Sequence, residues 1–237
     1  MPRYKIADVV FDAQFIYAYT ARLCKEYLYQ GEDAPSLSIC TNQADILAEK
    51  ELAPEYPDHY LESLAIFRKL CAYILDNANG LIFHSSAIMV DGKAYLFTAP
   101  SGTGKSTHTR LWRELLGDRA VMINDDKPIV RFVDGKFFVY GTPWNGKHGL
   151  DTNCRAEVKA ICKIGQAKEN SIRKATASEM VFTVLNQTAR PEAESSMQNL
   201  LGLIDKMLNS VDTYVLGCTI SKEAAELSYT TMSGEKL

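Results

Sequence analysis

The chain has 237 residues, 46% of them hydrophobic and 23% charged, with a net charge of −3. That composition suits one substantial globular core or two small ones. It lacks the basic excess needed to grip a nucleic-acid backbone or an anionic membrane, so neither is an expected partner. No stretch approaches the roughly eighteen unbroken apolar residues of a membrane span, and Met1-Pro2-Arg3-Tyr4-Lys5 does not open a basic-then-apolar leader. A cytoplasmic address is the expectation. The six cysteines form no C-x-x-C pair and the four histidines no H-E-x-x-H set, which favours buried thiols over a zinc site or a disulfide framework.

Residues 4–11 and 37–40 mix aromatic and β-branched with polar residues, which predicts a few strands, with a short helix near 20–29. Tyr60, Leu64, Phe67, Leu70, Cys71, Ile74 and Leu75 keep one apolar face at helical spacing until Asn79-Gly80 supplies a stop. Runs at 81–90 and 93–98 are joined by Asp91-Gly92, a strong two-residue hairpin signal. A helix over 105–116, a strand over 120–123 and a second hairpin turning at Asp134-Gly135 follow. A loop spans 141–149, then strands at 157–164 and 171–175, helices at 176–185 and 196–208, a strand at 213–218, and a last helix capped by Ser221. The predicted fold is α/β with a mixed, partly antiparallel sheet. Residues 1–80 form an N-terminal α/β extension packed on a catalytic core over 81–237.

The most informative segment is Ala99-Pro-Ser-Gly-Thr-Gly-Lys-Ser106, between a strand and a helix. Gly102 and Gly104 let backbone amides turn inward toward phosphate oxygens, and Lys105 can reach the β and γ phosphates. The Ser106 hydroxyl can hold a magnesium ion. Together Ser101, Gly102, Thr103, Gly104, Lys105, Ser106 and Thr107 form the expected nucleotide cradle, with ATP and Mg²⁺ as its ligands. The usual pattern opens with glycine, where this chain has Ala99.

Phosphoryl transfer also needs a carboxylate to take the acceptor's proton and another oxygen to help hold the metal. Asp125 and Asp126, just after the predicted strand 120–123, can divide those tasks. A solvated Asn-Asp-Asp turn is the plainer alternative. His84 can assist proton movement, or pack in the core as lone histidines in apolar strands commonly do. His108, one turn into the loop's helix, reads as a packing or surface residue. Trp144, beside Lys147, either stacks on adenine or anchors a turn. Arg190 is a weaker candidate for a second positive charge on the transferred group.

Phe83-His84, the Asp91-Gly92 hairpin, Ser101-Gly-Thr-Gly-Lys-Ser106 and Asn124-Asp125-Asp126 occur in this order, and over about 81–145 the chain resembles the catalytic domain of HPr kinase/phosphorylase. The Ser-Gly-Thr-Gly-Lys stretch is also similar to the kinase loop of ATP-dependent phosphoenolpyruvate carboxykinase, and the whole to the smaller HPr-kinase-like proteins of peptide-modification pathways. The resemblance implies a phosphate-binding core of that type and a kinase acting on a serine of a protein or peptide. It further implies Lys105 on the phosphates, Ser106 and Asp125 on magnesium, Asp126 as catalytic base, a role for His84, and possible self-association. The segment that supports phosphorylase activity in that family has no counterpart here. A nucleotide sensor that has lost transfer chemistry, and a small-molecule kinase, are the alternatives.

Overall fold

Ala7 and Asp8 both take positive φ, 51° and 58°, and so turn β1 (Arg3–Ile6) back on β2 (Val9–Gln14). Two left-handed residues in succession give the tight hairpin that follows strand twist. In this computed structural model all residues 1–237 are described, and the chain divides into two units, Met1–Ala78 and Asn79–Leu237. None of its helices is long and apolar enough to cross a membrane.

In the first unit β3 (Leu37–Cys40) pairs parallel with β2, and three helices follow the chain: α1 (Ala18–Leu23), α2 (Gln43–Leu52) and α3 (Asp58–Asn77). An Asn42/Asp45 capping box starts α2, satisfying backbone amides that would otherwise lack partners. α3 buries Leu61, Ile66, Leu70 and Ile74 at helical spacing. It also buries a charge. Glu62 is fully buried and accepts from the amides of Ile16 (2.5 Å) and Tyr17 (3.1 Å) and the hydroxyls of Thr20 (3.1 Å) and Thr41 (2.8 Å). The carboxylate thus caps α1, whose own N-cap residue, Tyr17, has no capping side chain. Glu62→Ala strands these buried donors and is expected to destabilise the protein by at least about 3 kcal/mol, read from the urea midpoint, while Glu62→Gln loses less.

The second unit is built on one curled sheet. β4 (Gly80–Ile82), β5 (Ser86–Val90) and β6 (Lys93–Thr98) lead into α4 (Lys105–Leu116). β7 (Ala120–Asn124), β8 (Ile129–Val133), β9 (Lys136–Tyr140) and the long β10 (Arg155–Gln166) follow. β11 (Ser171–Lys174), α5 (Ala177–Asn186), α6 (Glu194–Ser210), β12 (Asp212–Cys218) and α7 (Lys222–Ser233) complete it. The strand order is β4-β8-β9-β10-β6-β5-β7, and β12 joins the later part of β10 and carries β11. β6, β10 and β12 run parallel, whereas β5 is antiparallel to both β6 and β7. The mixed α/β, partly antiparallel sheet is therefore the observed fold class. The hairpins at Asp91-Gly92 and Asp134-Gly135 form as expected, each with two positive φ values. The run at 81–90 is not one strand: it breaks between β4 and β5, and His84 lies in the break.

The core under α4 joins Phe97, Ala99, Trp112, Ile164, Leu216 and Tyr229. Between α4 and α7 the Ser228 hydroxyl donates to the Ala225 carbonyl (3.0 Å). It accepts from the Trp112 indole (2.9 Å), so the His108 Nε2, 2.8 Å away, also donates to it. His108 is therefore a buried packing residue, and burial drives its pKa down to about 4. Its folded value lies below the unfolded value near 6.5, so stability is complete above that pH and declines as pH falls toward 4. Urea titrations are expected to show a loss of about 2 kcal/mol between pH 7.5 and 5 from this group. His108→Gln should remove that component of the pH dependence.

Candidate active site

Every predicted catalytic and nucleotide-binding residue lies at one end of this sheet. β6 ends at Thr98 and its chain turns through Ala99 to Gly104 into α4. Gly102 and Gly104 take φ of 79° and 119°, conformations that L side chains rarely adopt, and nothing lies within 4 Å of a Cβ built on either. The loop thus opens onto space at the helix N-terminus, where backbone amides and the helix dipole favour anions. Ala99, by contrast, is absent from the positive-φ residues and its methyl group is buried in the core, so alanine fits this position without backbone strain.

Lys105 is buried, and its ammonium donates to the Ala99 carbonyl at 2.9 Å. Burial lowers its pKa from the usual lysine value, and Asp126 and Asp125 pull the other way. Those two acids follow β7, which runs antiparallel to β5, itself antiparallel to β6; all three strands therefore bring their functional ends to the same edge. Asp125 is buried and accepts from the Ser86 hydroxyl at 2.5 Å, while its amide donates to the Leu150 carbonyl at 3.1 Å.

Asp126 receives His84 Nε2 at 3.2 Å on one oxygen and the Lys127 ammonium on the other. Burial alone would raise its pKa, but the hydrogen bonds from His84 and Lys127 outweigh it and hold the carboxyl down to about 2. The imidazole is fixed from the far side: Nδ1 lies 2.7 Å from the Gln187 side-chain oxygen, and the His84 amide donates to the Gln187 carbonyl at 2.7 Å. Phe83 and Thr188 form a bridge beside it. The chain that follows α5 therefore aims His84 at Asp126.

Asn124 holds the acidic turn in place. Its side-chain oxygen accepts from the amides of Asp126 (2.8 Å) and Lys127 (2.7 Å), and its nitrogen donates to the Thr142 carbonyl (2.8 Å). This pattern excludes the reading of Asn-Asp-Asp as a merely solvated turn, because Asn124 and Asp125 are buried. The 141–149 loop lies against the turn. A Cβ at Gly141 would meet the Thr152 carbonyl oxygen at 1.9 Å, so only glycine allows the backbones to approach so closely. Trp144 is 4% exposed and so anchors this loop; it is not the exposed stacking platform considered from the sequence. Lys147 is exposed. Arg190 is also exposed, with its guanidinium 2.5 Å from the Asn186 side-chain oxygen.

Sequence reasoning missed Ser86, Lys127, Thr142 and Gln187. Lys127 and Ser86 could have been suspected, since each sits within two positions of a named residue. Gln187 gave no signal. No group of three or more histidine, cysteine, aspartate or glutamate side chains is placed to hold a metal. The hard oxygens of Ser106 and Asp125 suit magnesium, which commonly takes one or two protein oxygens and completes its shell with water and phosphate.

No family model matches this chain, and no curated protein matches it in sequence. Among solved structures it is similar to the HPr(Ser) kinase/phosphatase from Coxiella burnetii, at 10% identity and a TM-score of 0.38, covering 65% of this chain and 93% of that one.

Proposed function

We propose that this protein is an ATP- and magnesium-dependent phosphotransferase that moves the γ-phosphoryl group to a hydroxyl, with a serine of a protein or peptide as the acceptor. The observation that carries this reading is the convergence of a phosphate-type loop, Lys105, Asp125, Asp126 and His84 on one end of the sheet. Magnesium would supply charge neutralisation along the phosphates, held by Ser106 and Asp125. Lys105 leaves the Ala99 carbonyl for the triphosphate, a better partner for an ammonium.

Asp126 accepts the proton of the acceptor hydroxyl as its oxygen bonds to the γ-phosphorus, and the bond to the β-phosphate oxygen breaks, releasing ADP. His84 and Lys127 flank and orient Asp126, and Lys127 places positive charge near the transferred group. Ser86 fixes Asp125 through a short hydrogen bond from a fully buried hydroxyl.

The test is transfer of labelled γ-phosphate from ATP, with magnesium, to serine-containing peptides and to matched cell extract. Labelled phosphoserine is the expected product. Tight ATP binding with no acceptor labelled overturns the kinase reading in favour of a nucleotide sensor.

A further inference from the structure

We propose that the nucleobase of the bound triphosphate lies over Ile220, beside Gln166, at the C-terminal ends of β12 and β10. This placement rests on the phosphotransferase reading and adds to it the site of the nucleoside. Its first ground is topological. Asp125 and Asp126 follow β7, and His84 precedes β5, so the reacting groups all stand on one side of β6. A triphosphate whose terminal phosphate faces those groups must send its nucleoside to the other side of the loop. There the parallel strands β10 and β12 end, one and two strand spacings, about 5 and 10 Å, from β6. In open α/β sheets ligands lie outside the carboxyl ends of such strands.

The second ground is what those ends present. β10 continues three residues beyond Lys163, which pairs with Thr98, and the Gln166 side-chain nitrogen Nε2 donates to the Thr103 carbonyl of the phosphate loop at 3.4 Å. β12 pairs Cys218 with Gln166, and the Ala167 amide donates to the Cys218 carbonyl at 3.0 Å. The turn after β12 then offers Ile220, 78% exposed.

That exposure is not the looseness of a frayed turn. The Asn170 side-chain oxygen accepts from the Thr219 amide (2.8 Å) and hydroxyl (3.1 Å), and its nitrogen donates to the Ser221 hydroxyl (3.3 Å). Ser221 in turn caps α7 through the Ala224 amide. An aliphatic residue on a hydrogen-bonded turn, two residues beyond the strand end that pairs with Gln166, presents an apolar surface to the face of a base at little backbone ordering cost.

Calorimetric titration with ATP and with inorganic tripolyphosphate, each with magnesium, tests the assignment. Ile220→Ser should weaken ATP on the order of tenfold, the effect of losing partial burial of one large aliphatic side chain, and, as it adds no charge, leave tripolyphosphate unchanged. An unchanged ATP affinity, or equal weakening of both ligands, overturns the base placement alone. Failure of the unmodified protein to bind either ligand overturns the phosphotransferase reading with it. Photolabelling by 8-azido-ATP gives a second readout without a substitution. Label within 166–170 or 219–221 supports the site, and label confined elsewhere overturns it.

Discussion

Asp126→Asn is expected to slow γ-phosphoryl transfer on the order of 10²–10³-fold, the usual scale for removing one preorganised group from a transition state, while ATP affinity stays roughly unchanged. The Asp126 carboxyl is held down to about 2, so at neutral pH the substitution removes a full negative charge. It leaves the backbone in place, because Asn124 holds the Asp126 and Lys127 amides whatever the side chain at 126. A group that takes the acceptor's proton acts only as the new bond forms, so the loss falls on kcat and not on KM.

Lys105→Ala should behave differently. In the proposed reaction its ammonium would face the phosphates in both the ground and transition states, and removing it is expected to weaken ATP binding on the order of a hundredfold. Single-turnover kinetics and calorimetry on the two variants separate a kinase from a sensor. A sensor depends on Lys105 and is indifferent to Asp126. Near-normal transfer by Asp126→Asn would remove Asp126 from the chemistry.

The parts of this site that are local in the chain were legible. A glycine-turned loop between strand and helix is written in consecutive residues, and so is the Asn-Asp-Asp run that ends β7. The hairpins at Asp91-Gly92 and Asp134-Gly135 were equally plain, because their residue types favour positive φ. The Ala7-Asp8 hairpin uses the same backbone geometry with an alanine that gives no such cue. The helix α2 went unseen for a related reason: Ile46 and Glu49 are its buried residues, and so small an inward face leaves little periodic signal.

The break at His84 was hidden because its cause is tertiary. Phe83 bridges to Thr188, the Ser85 amide donates to the Asp126 carbonyl at 3.3 Å, and together they draw residues 83–85 out of strand pairing with β6. From the sequence the imidazole reads either as a proton mover or as a core residue, and in the fold its Nε2 stands 3.2 Å from Asp126. Its partner Gln187 is 103 positions away, on a non-repetitive turn after a helix. Nothing periodic marks such a residue. Ala99 shows the converse: a departure from the usual loop pattern that fits without backbone strain, since the structure asks no left-handed backbone of it.

Trp112→Ala is expected to be the most destabilising single change in the second unit, by about 3–5 kcal/mol, the range for truncating a fully buried aromatic side chain. Trp112 is completely buried, with ring centroids 5.1 Å from Tyr95, 5.1 Å from Phe97 and 5.4 Å from Tyr229. It therefore packs α4 against β6 on one side and α7 on the other, and its indole donates to Ser228. The cavity left by alanine cannot close without moving α4, whose first turn follows the glycine-turned loop. At roughly 2–4 °C per kcal/mol for a unit of this size, the thermal midpoint should fall by about 10 °C. Trp112→Phe keeps the ring contacts and loses the Ser228 hydrogen bond, so it should lose much less. ATP affinity measured well below the transition separates packing from function. On the proposed reading the folded fraction of Trp112→Ala should still bind ATP, because the indole is completely buried and none of its surface is open to a ligand. A midpoint within about 2 °C of the unmodified protein would mean that α4 is seated by other contacts than this aromatic cluster.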